Sequence, residues 1–126
     1  MKNLKNISIK FWSVGLVLIG ILHLKNPTFF IHVMPPYFPM PATLVALSGI
    51  VEIILGIAFW QKKFRYSAAI GIIFMLASYL TVHIYMITGN DMVKSLEPGV
   101  TLPIAWLRLP LQFVFMAWIW WLRNVK

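Results

Sequence analysis

Four apolar runs, each near the length of a bilayer crossing, dominate the chain: Ile9–Leu24, Ala42–Trp60, Tyr66–Ile87 and Leu102–Leu122. A helix crosses the roughly 30 Å hydrocarbon core in about 20 residues at about 1.5 Å each. The first run is slightly short, but Lys10 and Lys25 have side chains long enough to snorkel to the interface. Only 11% of the residues are charged and 60% are hydrophobic, whereas soluble domains run about a quarter charged. Three acidic and eleven basic residues cannot coat a chain of 126, so lipid must do so. The expected fold is all-α: one domain over residues 1–126, built as a bundle of four transmembrane helices joined by short connections.

Cysteine is absent, which excludes disulfides, thiol nucleophiles and dithiol relays for this chain acting alone. Any redox role therefore needs a cofactor or a partner. The net charge of +8 is no nucleic-acid signature, because the cations sit between apolar runs and form no basic stripe on a soluble face. Lys2, Lys5 and Lys10 precede the first run as in a signal peptide, but no small-x-small cleavage site follows, so a retained span is expected.

Placing the loops alternately puts Lys2, Lys5, Lys10, Lys62, Lys63, Arg65, Arg123 and Lys126 on one side, and Lys25 and Lys94 on the other. By the positive-inside rule both termini are expected in the cytoplasm of a multi-pass protein, with Trp118, Trp120 and Trp121 at an interface. The segments from Asn26 to Pro41 and from Thr88 to Thr101 then lie outside. The former contains five prolines, Pro27, Pro35, Pro36, Pro39 and Pro41, among Phe29, Phe30, Tyr37 and Phe38. It cannot be a continuous helix. An uncharged, stiff strap is expected, either a lid over the bundle mouth or a rigid connector, with His32 a plain interfacial residue.

Polar groups within the hydrocarbon are few, and costly enough there to face inward and pair. Glu52 lies about 15 Å along its span, His83 about 8 Å from the end of its own, and Arg108 about 9 Å into the fourth, at about 1.5 Å per residue. His23 ends the first span, and Gln112 shares a helix face with Arg108. These five, His23, Glu52, His83, Arg108 and Gln112, are expected to form one polar cluster open to the outside, in which Glu52 and Arg108 are near enough to pair. The cluster is either a ligand site or a structural pair that holds the helices in register. Ser48, Gly49, Glu52 and Gly56 fall on one face, so small residues should draw that face inward; Gly71 and Ser78 are assigned similar work on the third span. No haem, flavin, metal or phosphate-loop motif occurs, nor a catalytic triad.

Several short stretches, in this order and spacing, resemble the DoxX-like family of small bacterial membrane proteins: Gly20–His23, Pro27–Phe30, Met34–Pro39, Leu47–Ile53 with Gly56, and Trp106–Gln112. The resemblance runs from Gly15 to Trp121. It implies a four-helix bundle in the bacterial inner membrane, and it maps the family motif onto His23, Pro27, Pro36, Gly49, Glu52, Gly56, Arg108, Pro110 and Gln112. Of these, Pro27, Pro36, Gly49, Gly56 and Pro110 are expected to be structural. The family pattern has Asn at the position of His83, where this chain departs from it. The resemblance also suggests association with membrane redox complexes. The leading expectation is an accessory subunit that is not an enzyme by itself, with a quinone as the possible ligand and a redox enzyme subunit as partner. An assembly or anchor protein, and a small-solute or lipid carrier that self-associates, are the alternatives.

Overall fold

A computed structural model of the chain describes residues 2–125. It contains helices only among those residues: α1 Lys2–Lys25, α2 Thr28–His32, α3 Pro41–Trp60, α4 Arg65–Thr88, α5 Asn90–Leu96 and α6 Leu102–Leu122. Four of them, α1, α3, α4 and α6, are long and apolar enough to cross a membrane. They coincide with the four apolar runs within one residue at every boundary except the start of α1, which begins at Lys2. Helix formers continue beyond the apolar stretch, and a helix need not stop where the hydrocarbon does.

The polar first turns of α1 fold onto the far ends of other helices. The Lys5 ammonium lies 4.9 Å from the centre of the Trp121 ring, and that of Lys10 lies 6.0 Å from Trp60. The start of α1 and the ends of α3 and α6 therefore share one end of the bundle. Arg65 fastens the same end from inside. Its guanidinium donates to the carbonyls of Phe59 at 2.9 Å, Trp60 at 2.7 Å and Val125 at 2.6 Å. It thereby satisfies carbonyls that the end of α3 leaves open and ties the C-terminal residues to the turn before α4.

The long helices pack as two pairs, α1 with α3 and α4 with α6, joined through α3 and α4. Between α1 and α3 the backbones approach at glycines. A Cβ added to Gly20 would sit 2.6 Å from the Gly49 carbonyl oxygen, and one added to Gly49 would sit 2.6 Å from His23 Cβ. At Gly56 it would meet the Ser13 carbonyl oxygen at 2.9 Å. The small-residue face of α3 is thus turned inward, as its spacing predicts, and carries Glu52 with it. Gly71 gives α4 a similar approach to Leu55. Ser78 does not: it is exposed and its hydroxyl donates to the Phe74 carbonyl on its own helix.

Two apolar clusters fill the ends. One, at the end holding the termini, contains Ile9, Trp12, Leu16, Phe59, Ile72, Ile119 and Leu122. The other joins Val33 to Met86, Val93, Val100 and Ala105 under α2 and α5. Many large side chains between them point outward, among them Phe74, Leu107 and Val114; water would not tolerate so much apolar surface, and lipid does. The segment from Asn26 to Pro41 makes one helical turn, α2, with Pro27 at its N-cap. It then runs through turns to Met40, which adopts a left-handed conformation (φ 48°) before Pro41 opens α3. Of its prolines Pro35 is fully buried and Pro36 exposed. Pro110 lies inside α6 on an exposed face, where its missing N–H leaves the carbonyl four residues back without its helical partner.

Candidate functional site

Between the two apolar clusters lies a cavity of about 550 Å³. It exists because the helix pairs do not close on each other: α1 and α6 barely touch. At the end holding the termini an aromatic clasp bridges them, with Trp118 stacked on Phe11 at 5.8 Å and set edge-on to Trp12 at 5.4 Å. Phe115 also meets Trp12 edge-on at 5.4 Å. The Trp118 ring therefore works inside this seam, not only at an interface belt. Above the clasp the seam opens at Gly15, where an added Cβ would meet nothing within 4 Å. Phe29 and Phe30 of α2 border the cavity at the other end, and Phe30 stacks on His23 with ring centres 3.7 Å apart.

All five residues of the expected polar cluster, His23, Glu52, His83, Arg108 and Gln112, border this cavity. Their pairing differs from the expected one. Glu52 does not pair with Arg108; its Oε1 accepts the Tyr79 hydroxyl at 3.1 Å, and its Oε2 lies 3.2 Å from His23 Nδ1. Glycine contacts explain this. Drawing α1 against α3 at Gly20 and Gly49 brings the His23 ring to the Glu52 carboxylate before α6 can approach. The Nδ1 proton of His23 is directed to the Ile19 carbonyl at 2.8 Å. Oε2 therefore lies close to that nitrogen but off its N–H axis, and it has no aligned hydrogen bond. The Glu52 and His23 side chains are nearly fully buried, 4% and 7% exposed, so this carboxylate forms a secluded floor.

Arg108 is half-buried on the cavity wall, with Nη1 3.5 Å from Met86 Sδ and its guanidinium carbon 5.9 Å from the centre of the Phe29 ring. Gln112, one turn on, is buried and donates to the Leu76 carbonyl at 2.8 Å, which docks α6 on α4. His83 lies beside both on α4, and its Nδ1 is buried with no hydrogen-bond partner. Trp12 Nε1, also on the cavity wall, is in the same condition. Buried polar atoms are nearly always satisfied, so the open His83 Nδ1 beside Arg108 marks a place where a further polar group fits.

Sequence reasoning missed one member of the site, Tyr79, and one polar pair outside it. Tyr79 supplies the one hydroxyl that reaches Glu52, and its spacing of four residues from His83 is the signal that places both on one face of α4. His32 is no bystander either, since its Nδ1 lies 2.8 Å from Glu97 Oε2. This pair joins α2 to the segment after α5, and nothing local in the sequence links positions so far apart. Among the described residues no group of three metal-ligating side chains occurs. The site thus offers apolar walls, a slot open along the bundle flank, and polar atoms gathered below α2. Such a shape is suited to hold a molecule with an apolar body and a polar head.

No curated protein and no solved structure matches this chain. Over residues 13–123 it matches the family model described as a domain of unknown function, DUF8561, and the chain belongs to that family.

Proposed function

We propose that this integral membrane protein holds one amphipathic molecule drawn sideways from the bilayer. The observation that carries the reading is the seam between α1 and α6, open at Gly15 and leading to the polar atoms of His83, Arg108 and Glu52. A volume of about 550 Å³ lies within the roughly 300–1,000 Å³ of small-molecule sites. The resemblance to DoxX-like proteins favours a quinone as that molecule and an accessory role beside a redox enzyme in a bacterial inner membrane. In that setting Arg108 and His83 donate to the head group. The chain has no cysteine and no motif for a haem or flavin, so electrons pass through the partner subunit. Both termini then face the cytoplasm, where the lysine-rich end lies, and α2 lies over the outer mouth.

An assembly or anchor role is the second reading, but its simplest basis is weakened. The glycines at 20, 49 and 56 that suit helix association are already spent between α1 and α3. Native mass spectrometry of protein released from its own membrane separates the two readings. A stoichiometric small molecule is expected on the wild type and its loss on Gly15→Trp, whose ring would occupy the seam. Bare protein in both samples, or a stoichiometric protein partner with no small molecule, would refute the ligand reading. A short-chain quinone at a hundred times its Kd should also raise stability by about 2.7 kcal/mol; no shift with quinone, while a native small molecule is retained, would remove the quinone but keep the site.

A further inference from the structure

The chain has three acidic residues, and none of them meets Arg108. Glu52 is held by Tyr79 and His23, and Glu97 by His32. Asp91 stands exposed in the first turn of α5 and forms no ion pair among the described residues. The other arginines are spent on backbone carbonyls, Arg65 on three and Arg123 on that of Trp120, and no described lysine borders the cavity. Among the described residues Arg108 is therefore the one lysine or arginine that borders the cavity. Its own contacts are a thioether, a weak acceptor, and the face of Phe29. Neither neutralises a full charge at a depth where an unpaired charge is costly.

Beside it His83 Nδ1 is buried without a partner. A guanidinium presents a rigid fork of N–H donors that matches the oxygens of a phosphate or carboxylate, and a neighbouring imidazole supplies a further donor when its proton sits on Nδ1. The one carboxylate on the cavity, Glu52, is set deeper along the helices, where Oε1 accepts the Tyr79 hydroxyl and Oε2 lies beside His23 Nδ1, so it does not fill this place. We propose that the cavity holds an oxyanion, bound by Arg108 with His83; where that oxyanion is the head of a bilayer amphiphile, the apolar body extends along the seam toward Trp12 and Phe115. This inference rests on the ligand reading above and narrows it to one chemical class. The oxyanion is either the head of a bilayer amphiphile or a soluble anion admitted at the mouth beside α2.

The test uses the full chain in a neutral detergent with three probes: dodecyl phosphate, dodecanol and inorganic phosphate, read by thermal shift and by native mass spectrometry. Dodecyl phosphate is expected to bind wild type at least about tenfold more tightly than dodecanol, and Arg108→Gln to lose that advantage. Inorganic phosphate giving the same shift as dodecyl phosphate would support the anion site and assign it to a soluble ligand; no shift with phosphate alone would assign it to an amphiphile. Equal binding of dodecanol and dodecyl phosphate, unchanged in Arg108→Gln, would overturn the anion and leave the ligand reading standing. Binding of none of the three probes, with no native small molecule retained, would overturn both. Should Arg108→Gln fail to fold, the wild type alone decides: dodecyl phosphate binding must weaken as salt is raised while dodecanol binding does not, and salt-insensitive binding would sink the proposal.

Discussion

α1 faces two neighbours in opposite ways. Toward α3 it is closed, with glycine backbones set so close that a single methyl group has no room at Gly20 or Gly49. Toward α6 it is open, held at one end by the ring cluster of Phe11, Trp12, Phe115 and Trp118 and parted above it. The same helix thus spends one face on stability and leaves another free. Within a bilayer the difference has a plain cause: helices gain nothing by hiding apolar surface from lipid, so only close backbone approach and hydrogen bonds hold them together. Large aromatic side chains along a seam keep two helices apart and leave a cavity between them.

That contrast is most severely tested at Gly49. Gly49→Ala would place its methyl against His23 Cβ at 2.6 Å and the Gly20 carbonyl oxygen at 2.8 Å; neither is the free end of a flexible side chain. A loss of about 1–3 kcal/mol is expected, measured by unfolding in mild detergent, and a neutral result would mean that the α1 and α3 interface is looser than described. Glu52→Ala comes next, with about 1–2 kcal/mol lost, because it leaves the Tyr79 hydroxyl without the carboxylate and His23 without its neighbour. Glu52→Gln keeps an acceptor for Tyr79 and should recover part of that loss; equal damage from both would assign the effect to charge and not to the hydrogen bond. The smallest effect is expected on the open side. Gly15→Ala should change stability by no more than about 0.5 kcal/mol, since its methyl enters empty space, and a loss as large as that at Gly49 would erase the distinction between the two faces.

Much of this architecture was legible before any coordinates. Four apolar runs give four long helices, because every backbone polar group in hydrocarbon must be satisfied within its own segment. The spacing of Gly49, Glu52 and Gly56 gives an inward face, and five intramembrane polar residues border one cavity. Their partners were not legible. Glu52 and Arg108 have the charges and depths of an ion pair, yet the pair does not form, since depth along a helix says nothing about which helices adjoin. Tyr79 went unnoticed because a tyrosine in an apolar run looks like any other packing residue, and Arg65 because its charge suits a cytoplasmic loop as well as a clamp. Pro35 and Pro36 are neighbours of one type, and only packing buries the first and exposes the second.

The sequence by itself determined the solvent, the number of long helices and the polar residues that cannot face lipid, because each of these follows from local composition and from helical periodicity. Tertiary structure alone decided that α1 closes on α3 and opens toward α6, that Glu52 goes to His23 and Tyr79, and that Arg108 is left without an acid. Those outcomes depend on which backbones approach most closely. In this chain the approach is set at Gly20 and Gly49, on two different helices, and a contact between helices is a property of neither sequence segment alone.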